Sequence, residues 1–299
     1  MEDLYLDLMK KALLASIYDE NSWFVLGSLG STHSFKDWLR SLVVKLAWTQ
    51  RLLLVKPRKP ELEEWGFFGY TMIGLQRLNN IQSCVEDVIL NGVEGDLIET
   101  GVWRGGATIF MRAILKAHGV SDRTVWVADS FEGLPSLKKK DAIHAEDVMD
   151  VTGMNHGGPM QLGLAVSLER VKQNFAKFDL LDDQVQFLRG WFCDTLPTAP
   201  INKLAVLRLD GDMYHSTMDA LNALYSKVSV GGYVIVDDYN CWPHCKQAVE
   251  DFRNTHGILD QIVKIDQRAV YWKVSGRSVT RERPELSYSN RAISSAQGE

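Results

Sequence analysis

The chain has 299 residues, 45% hydrophobic and 24% charged, with 33 Lys and Arg against 38 Asp and Glu for a formal net charge of -5. That length supports one large buried core or two small ones, which excludes disorder and collagen-like repetition, and the near balance of charge gives no reason to expect a nucleic-acid partner. Four cysteines, Cys84, Cys193, Cys241 and Cys245, make no disulfide framework and suit a reducing, cytoplasmic setting.

Met1 to Leu14 interleaves Glu2, Asp3, Asp7, Lys10 and Lys11 with apolar residues, which is not the layout of a signal peptide. The most apolar stretch, Ser41 to Val55, is broken by Lys45 and Arg51 and falls short of the roughly 20 apolar residues a spanning helix needs, so no membrane span is expected. Residues 1–68 read as an N-terminal helical, accessory segment, with a basic solvated face between Lys36 and Lys59. From Gly69 to Leu90, Met72, Leu75, Leu78, Ile81, Val85 and Val88 recur at helical spacing and predict an amphipathic helix.

After Gly95 strands and helices alternate. Strands are expected at Asp96 to Glu99, Thr124 to Ala128, Val185 to Leu188, Leu204 to Leu209 and Tyr233 to Val236, with helices after the Gly101 to Gly106 turn, at Ser167 to Phe178, at Ser216 to Val228 and from Pro243 to Thr255. Two closing strands, Ile262 to Ile265 and Ala269 to Val274, are separated by a tight turn. The pattern predicts an α/β fold: a mostly parallel sheet with helices on both faces and an antiparallel C-terminal edge hairpin. The expected organisation is thus residues 1–68, a main domain over 69–275 with a lid loop at about 134–163, and a polar tail over 276–299.

Two constellations carry chemistry. Glu99-Thr100-Gly101-Val102-Trp103-Arg104-Gly105-Gly106 stands where a strand turns into a helix, and glycines there let the backbone approach a ligand. The run is not GxGxxG, and no Lys-Ser or Lys-Thr follows, which disfavours a pyrophosphate. Glu99 suits a cationic amine instead, and Asp129, at the end of the next strand, suits the two hydroxyls of a ribose. Together they describe S-adenosylmethionine; the plainer reading makes Glu99 a helix cap and Asp129 a turn residue. The second constellation pairs Asp210 and Asp212 after the fourth strand with Asp237 and Asp238 after the fifth. Four carboxylates at one sheet edge repel, and a hard cation such as Mg²⁺ resolves the repulsion, although each could also serve as a helix cap. A metal that makes a hydroxyl more acidic, beside a carboxylate that takes its proton, would prepare that oxygen to accept a methyl group.

At these positions the sequence resembles the macrocin-type (TylF-like) O-methyltransferases, which act on sugar hydroxyls of natural products such as macrolides and aminocoumarins. The resemblance rests on Thr71-Met72-Ile73-Gly74, Ile98 to Gly106, Asp129-Ser130-Phe131-Glu132-Gly133-Leu134-Pro135, Leu181 to Val185, Gly190-Trp191-Phe192 and the Asp210 and Asp237 segments. It implies a class I, Rossmann-like methyltransferase fold with Mg²⁺ held by Asp210, Asp237 and Asp238, and Asp212 as general base, with Asp210 the other candidate for the proton. It also implies cofactor contacts at Thr71, Met72, Glu99, Thr100, Gly101, Val102, Trp103, Arg104, Gly105, Asp129 and Ser130, with Asp182 or Ser167 near the adenine. Cys193 stands where the family pattern leads one to expect Lys, and the basic, Trp-bearing first 60 residues match nothing in it.

The expected function is Mg²⁺-dependent methylation of a deoxysugar hydroxyl on a secondary metabolite. Methylation of a catechol or other phenolic diol, or cofactor binding without catalysis, are the rivals. The expected partner is a small glycosylated or diol-bearing substrate, with a homo-oligomer, a dimer, as the assembly. Cys241, His244 and Cys245 read as a helix face rather than a zinc site. His215 is placed beside the acidic run, either against substrate or at a solvent-facing helix start.

Overall fold

The computed structural model describes residues 2–16, 69–134 and 164–276. The basic stretch from Lys36 to Lys59, most of the expected lid loop with His144 and His156, and the tail beyond 276 lie outside them.

Seven strands form one sheet: β1 (Asp96–Thr100), β2 (Val125–Asp129), β3 (Val185–Arg189), β4 (Leu204–Leu209), β5 (Val228–Val236), β6 (Val263–Lys264) and β7 (Val270–Lys273), in the order β3-β2-β1-β4-β5-β7-β6. The first five are parallel, and β7 runs antiparallel between β5 and β6. The expected hairpin is therefore present, and its second strand is the one that joins the sheet. The chain reverses direction across β1, so the carboxyl ends of β1 and β4 flank a crevice where ligands bind in such sheets.

Strand periodicity distributes the core. Leu97, Val125, Val127, Val206 and Ile235 face one cluster with Leu6, Leu13, Ile81, Phe110 and Phe175, whereas Ile98, Ala128, Leu207, Val234 and Val236 face the other with Leu221, Val249 and Phe252. The first cluster is covered by α1 (Glu2–Leu13), α2 (Leu75–Leu90), α3 (Gly106–Ala117) and α4 (Leu168–Lys177). The second is covered mainly by α6 (Tyr214–Leu224) and α7 (Pro243–Thr255), with the short α5 (Phe192–Thr195) packed beside α6. By the same alternation Glu99, Arg208 and Asp237 continue the first face at its carboxyl edge.

Two helix boundaries and the start of β5 differ from expectation. The Gly69 to Leu90 helix begins at Leu75, because Tyr70 N donates to Leu13 O at 2.8 Å and the Tyr70 carbonyl presses on Gly106, where a Cβ would lie 2.4 Å away. The helix expected to reach Val228 ends at Leu224, followed by a 3₁₀ turn at Tyr225–Lys227, since Val228 already pairs with Leu204 in the sheet. β5 consequently starts five residues early and bulges at Gly231-Gly232 before regaining register at Tyr233 opposite Val206. Within the N-terminal segment expected to be helical, α1 forms, and its Leu6, Met9 and Leu13 are buried in the core, with α1 in contact with α3. Their spacing is helical, but a 12-residue amphipathic run among charges does not announce which surface it covers.

Candidate active site

A cavity of about 590 Å³ opens at the carboxyl edge of the sheet, lined by both expected constellations. Thr71, Met72, Glu99, Gly101, Val102, Trp103, Asp129 and Ser130 line it together with Asp210, Asp212, Asp237 and Asp238. Thr100, Arg104 and Gly105 support that wall rather than face the space. The Thr100 hydroxyl donates to the Arg208 carbonyl at 3.5 Å, Arg104 donates to Gly69 O at 2.8 Å and lies over the Trp103 ring, and Gly105 opens α3 in a left-handed conformation.

Glu99 is 2% exposed; one oxygen is bonded by Arg208, and Oε2 has no hydrogen-bond partner. Burial, with the nearby Asp210 and Asp237 charges, outweighs Arg208 and pushes its carboxyl up to about 8. An unpartnered buried oxygen facing a cavity is the feature a ligand ammonium would satisfy, so the site fits the cofactor inferred from sequence. Asp129 accepts from Val102 N and from Phe131 N, each at 2.7 Å. It thereby ties the loops after β1 and β2 together, a bracing role in addition to any ligand contact. Burial nonetheless holds its pKa above the usual carboxylate range against those backbone bonds.

Two further expected cofactor residues are not among those lining the cavity. Ser167 caps α4, its hydroxyl accepting from Arg170 N at 3.3 Å, and Asp182 is held by both Nε and Nη2 of Arg112, at 3.0 and 2.7 Å. Capping explains a serine three residues before Arg170, and a turn acid finds its partner on the neighbouring helix.

The acidic cluster is more elaborate than four repelling aspartates. Arg208, fully buried, donates to Glu99, to Asp210 at 2.6 Å and to Asp237, and Arg77 donates to the other Asp237 oxygen and to Asp266, both at 2.6 Å. Two guanidiniums thus meet part of the repulsion that sequence reasoning had left to a cation. Glu99, Asp210, Asp212, Asp237, Asp238 and Asp266 still outnumber them, and the surplus appears as raised pKa values. Burial and the neighbouring acids push Asp212 up to about 7 and Asp238 well above its usual value, while Asp237 stands at about 6 because burial outweighs its arginines. Asp212 adopts φ +61°, a left-handed conformation that aspartate tolerates better than most residues.

Among the described residues, Asp210, Asp237 and Asp238 offer carboxylate oxygens all within 4.8 Å of one another, and Asp238 Oδ2 has no hydrogen-bond partner. Hard oxygen donors with an excess of negative charge fit a divalent cation such as Mg²⁺. Cys245 is instead buried on α7 against Thr217, whose hydroxyl lies 3.6 Å from its sulfur. Cys241, His244, Cys193, Trp191 and His215 line the cavity.

Sequence reasoning missed Arg77, Arg208 and Asp266. A signal was present for the first two: Arg208 interrupts the apolar run Leu204 to Leu209, and Arg77 falls at helical spacing with Ile81, Cys84 and Val88. A charge at a core position needs a partner, so either arginine predicts buried acids nearby.

The strand order, with antiparallel β7 beside β5, and the ligand cavity at the switch point define a class I methyltransferase, the fold of S-adenosylmethionine-dependent enzymes. The chain belongs to the macrocin O-methyltransferase (TylF) family and is an O-methyltransferase; the family model matches residues 2–274, so the first 60 residues, expected to match nothing in the family, fall within it from Glu2 onward. It is 48% identical over 277 residues to the demethyldecarbamoylnovobiocin O-methyltransferase of Streptomyces niveus, covering 90% of this chain and 93% of that one. It is 46% identical over 273 residues to the mycinamicin III 3''-O-methyltransferase of Micromonospora griseorubida, covering 91% and 97%. The solved structure of the O-methyltransferase NovP superposes with a TM-score of 0.74 at 47% identity, covering 92% of this chain and all of that one. No helix among the described residues is long and apolar enough to cross a membrane.

Proposed function

We propose that the protein transfers the methyl group of S-adenosylmethionine to a sugar hydroxyl of a glycosylated natural product, with Mg²⁺ held by Asp210, Asp237 and Asp238. The observation that carries this reading is the single cavity in which Glu99, with its free Oε2, and the Asp210, Asp237 and Asp238 cluster stand together. The relatives support the acceptor class: one, from Streptomyces olivaceus and 46% identical over 282 residues, is named for a rhamnosyl-bearing tetracenomycin and its 4'-oxygen.

S-adenosylmethionine supplies an electrophilic methyl group on a sulfonium, and Mg²⁺, when bound, supplies Lewis acidity that favours loss of a hydroxyl proton. Glu99 Oε2 would hold the ammonium group, and Gly101 to Trp103 form the adjoining wall. Asp212 takes the acceptor's hydroxyl proton; burial, first among the causes, raises its carboxyl above the ordinary aspartate range and makes it a better base. Trp191, Phe192, Met213 and Trp242 line the remaining wall, apolar surface suited to the face of a sugar ring and to exclusion of water.

The test is incubation of purified protein with S-adenosylmethionine, MgCl₂ and a panel of glycosylated macrolides, glycosylated aminocoumarins and simple catechols, followed by mass spectrometry and fragmentation. A methyl group located on a sugar oxygen, lost with EDTA and restored by Mg²⁺, is the expected result. Methylation of catechols alone, or turnover indifferent to EDTA, overturns the acceptor or the metal part respectively.

A further inference from the structure

We propose that Arg208 is a positioning residue that couples the cofactor end of the cavity to the metal end. This rests on the reading above, in which an ammonium group meets Glu99 and a divalent cation meets Asp210, Asp237 and Asp238.

The placement follows from strand register. Arg208 on β4 stands directly opposite Glu99 on β1, and on its other side opposite Ile235 on β5, two residues before Asp237 on the same face. One side chain thus lies between carboxylates on two neighbouring strands. Nη1 donates both to Glu99 Oε1 and, at 2.6 Å, to Asp210 Oδ2, while Nη2 donates to Asp237 Oδ1. The guanidinium is fully buried, so water screens none of these interactions. Its planar fork serves three acids at once, which the compact ammonium of a lysine does not.

Unpartnered oxygens belong to the residues at the two ends of this arrangement, Oε2 to Glu99 on β1 and Oδ2 to Asp238, a member of the acidic cluster. Arg208 is the counter-ion common to both ends. A cation that settles on Asp210 and Asp237 competes with the guanidinium for their charge. Arg208 then bonds more fully to Glu99, and Glu99 has less negative charge to offer an ammonium. The reverse holds by linkage, because a coupling free energy between two ligands is reciprocal. The two ligands therefore bind with negative cooperativity, transmitted by a single buried side chain that touches neither.

Calorimetric titration of the full chain with S-adenosylhomocysteine, with and without saturating MgCl₂, measures this coupling. S-adenosylhomocysteine carries the ammonium group but lacks the sulfonium charge, which minimises direct repulsion between the two ligands. Binding about fivefold weaker in the presence of Mg²⁺, and Mg²⁺ binding weakened by the same factor in the presence of S-adenosylhomocysteine, is the expected result. In Arg208→Lys both ligands still bind, and the coupling falls to less than about twofold. Equal affinities with and without Mg²⁺ in the wild type, or undiminished coupling in Arg208→Lys, overturn the proposal.

If Arg208→Lys does not fold, as judged by circular dichroism, Glu99→Gln replaces it. Arg208 is then left wholly to Asp210 and Asp237, and Mg²⁺ binds several-fold more weakly; unaltered Mg²⁺ affinity overturns the proposal. Failure of either ligand to bind the wild type removes the cofactor and metal reading and this inference with it. Binding of both without coupling removes only the role of Arg208.

Discussion

Gly101 lies where β1 leaves the sheet at φ +89°, and a Cβ there would stand 1.9 Å from the carbonyl oxygen of Asp210. The opposing atom is backbone, anchored by the Asp210 N to Thr100 O bond of 2.9 Å, so it has no easy way to yield. Gly101→Ala is expected to cost at least about 2–3 kcal/mol, read as a lower midpoint in urea unfolding, and to abolish cofactor binding. Asp238 illustrates the opposite case, a buried side chain with one oxygen, Oδ2, that has no hydrogen-bond partner. Asp238→Ala should abolish methyl transfer while leaving S-adenosylhomocysteine binding by calorimetry nearly unchanged; retained turnover would exclude it from the metal set. Both positions stand out in the sequence, the glycine as part of a strand-to-helix turn and the aspartate as part of a clustered pair. Arg208 and Arg77 belong to the same network but carry no motif, and apart from Asp210, two residues from Arg208, their partners are 29 to 189 residues away in the chain.

At the scale of elements, the strands from β1 to β4 were legible to within a residue or two, because short segments rich in apolar and β-branched residues, each bounded by turn signals and alternating with helical stretches, have few other uses. The errors fell where tertiary contacts override local pattern, at the loop before α2 and the 3₁₀ turn before β5, and the expected N-terminal helicity did not reveal that α1 joins the core. The packing of α1 makes a direct prediction. Leu6→Ala or Leu13→Ala, both fully buried, should each destabilise the protein by about 2–5 kcal/mol, whereas Leu4→Ala, 73% exposed on the same helix, should fall within about 0.5 kcal/mol of wild type. Equal effects at Leu4 and Leu6 in chemical denaturation would show that α1 does not pack on α3 in solution. The helix matters to the site because Leu13 O holds Tyr70 N at 2.8 Å, next to Thr71 on the cavity wall.

At the scale of the whole molecule, a net charge of -5 is modest, yet acids are concentrated at one edge of the sheet, where burial works against ionisation. Glu99 rises from an ordinary 4.5 to about 8, Asp212 from 3.8 to about 7 and Asp237 from 3.8 to about 6. In each case the folded state holds its proton over a window in which the unfolded chain has released it. The contribution of these groups to stability is therefore complete below about pH 4 and declines as pH rises to about 8. Asp87, Asp182 and Glu94, whose pKa values are lowered by Lys273, Arg112 and Lys203, act in the opposite sense, but only below about pH 4. The metal-free protein is accordingly expected to lose thermal stability between about pH 5 and 8, and MgCl₂ to raise the Tm more at pH 8 than at pH 5, because a cation replaces protons on the same oxygens. A metal-free Tm that climbs across this window in differential scanning calorimetry would contradict the buried acidic cluster.

By itself the sequence determined the alternation of strands and helices, the two chemical runs at strand ends and the family to which the chain belongs. These are properties of short segments: apolar periodicity, glycine where the backbone must turn tightly, and acids gathered within a few residues. Tertiary structure alone decided which acids are neutralised and which are not, that Ser167 and Asp182 serve α4 and Arg112, and that Arg208 stands between Glu99 and Asp237. Such assignments depend on strand register and on the side chains of α2 and α3 that descend onto the sheet. Electrostatic partnership is set by distance in space and by exclusion of water, and spacing along the chain records neither.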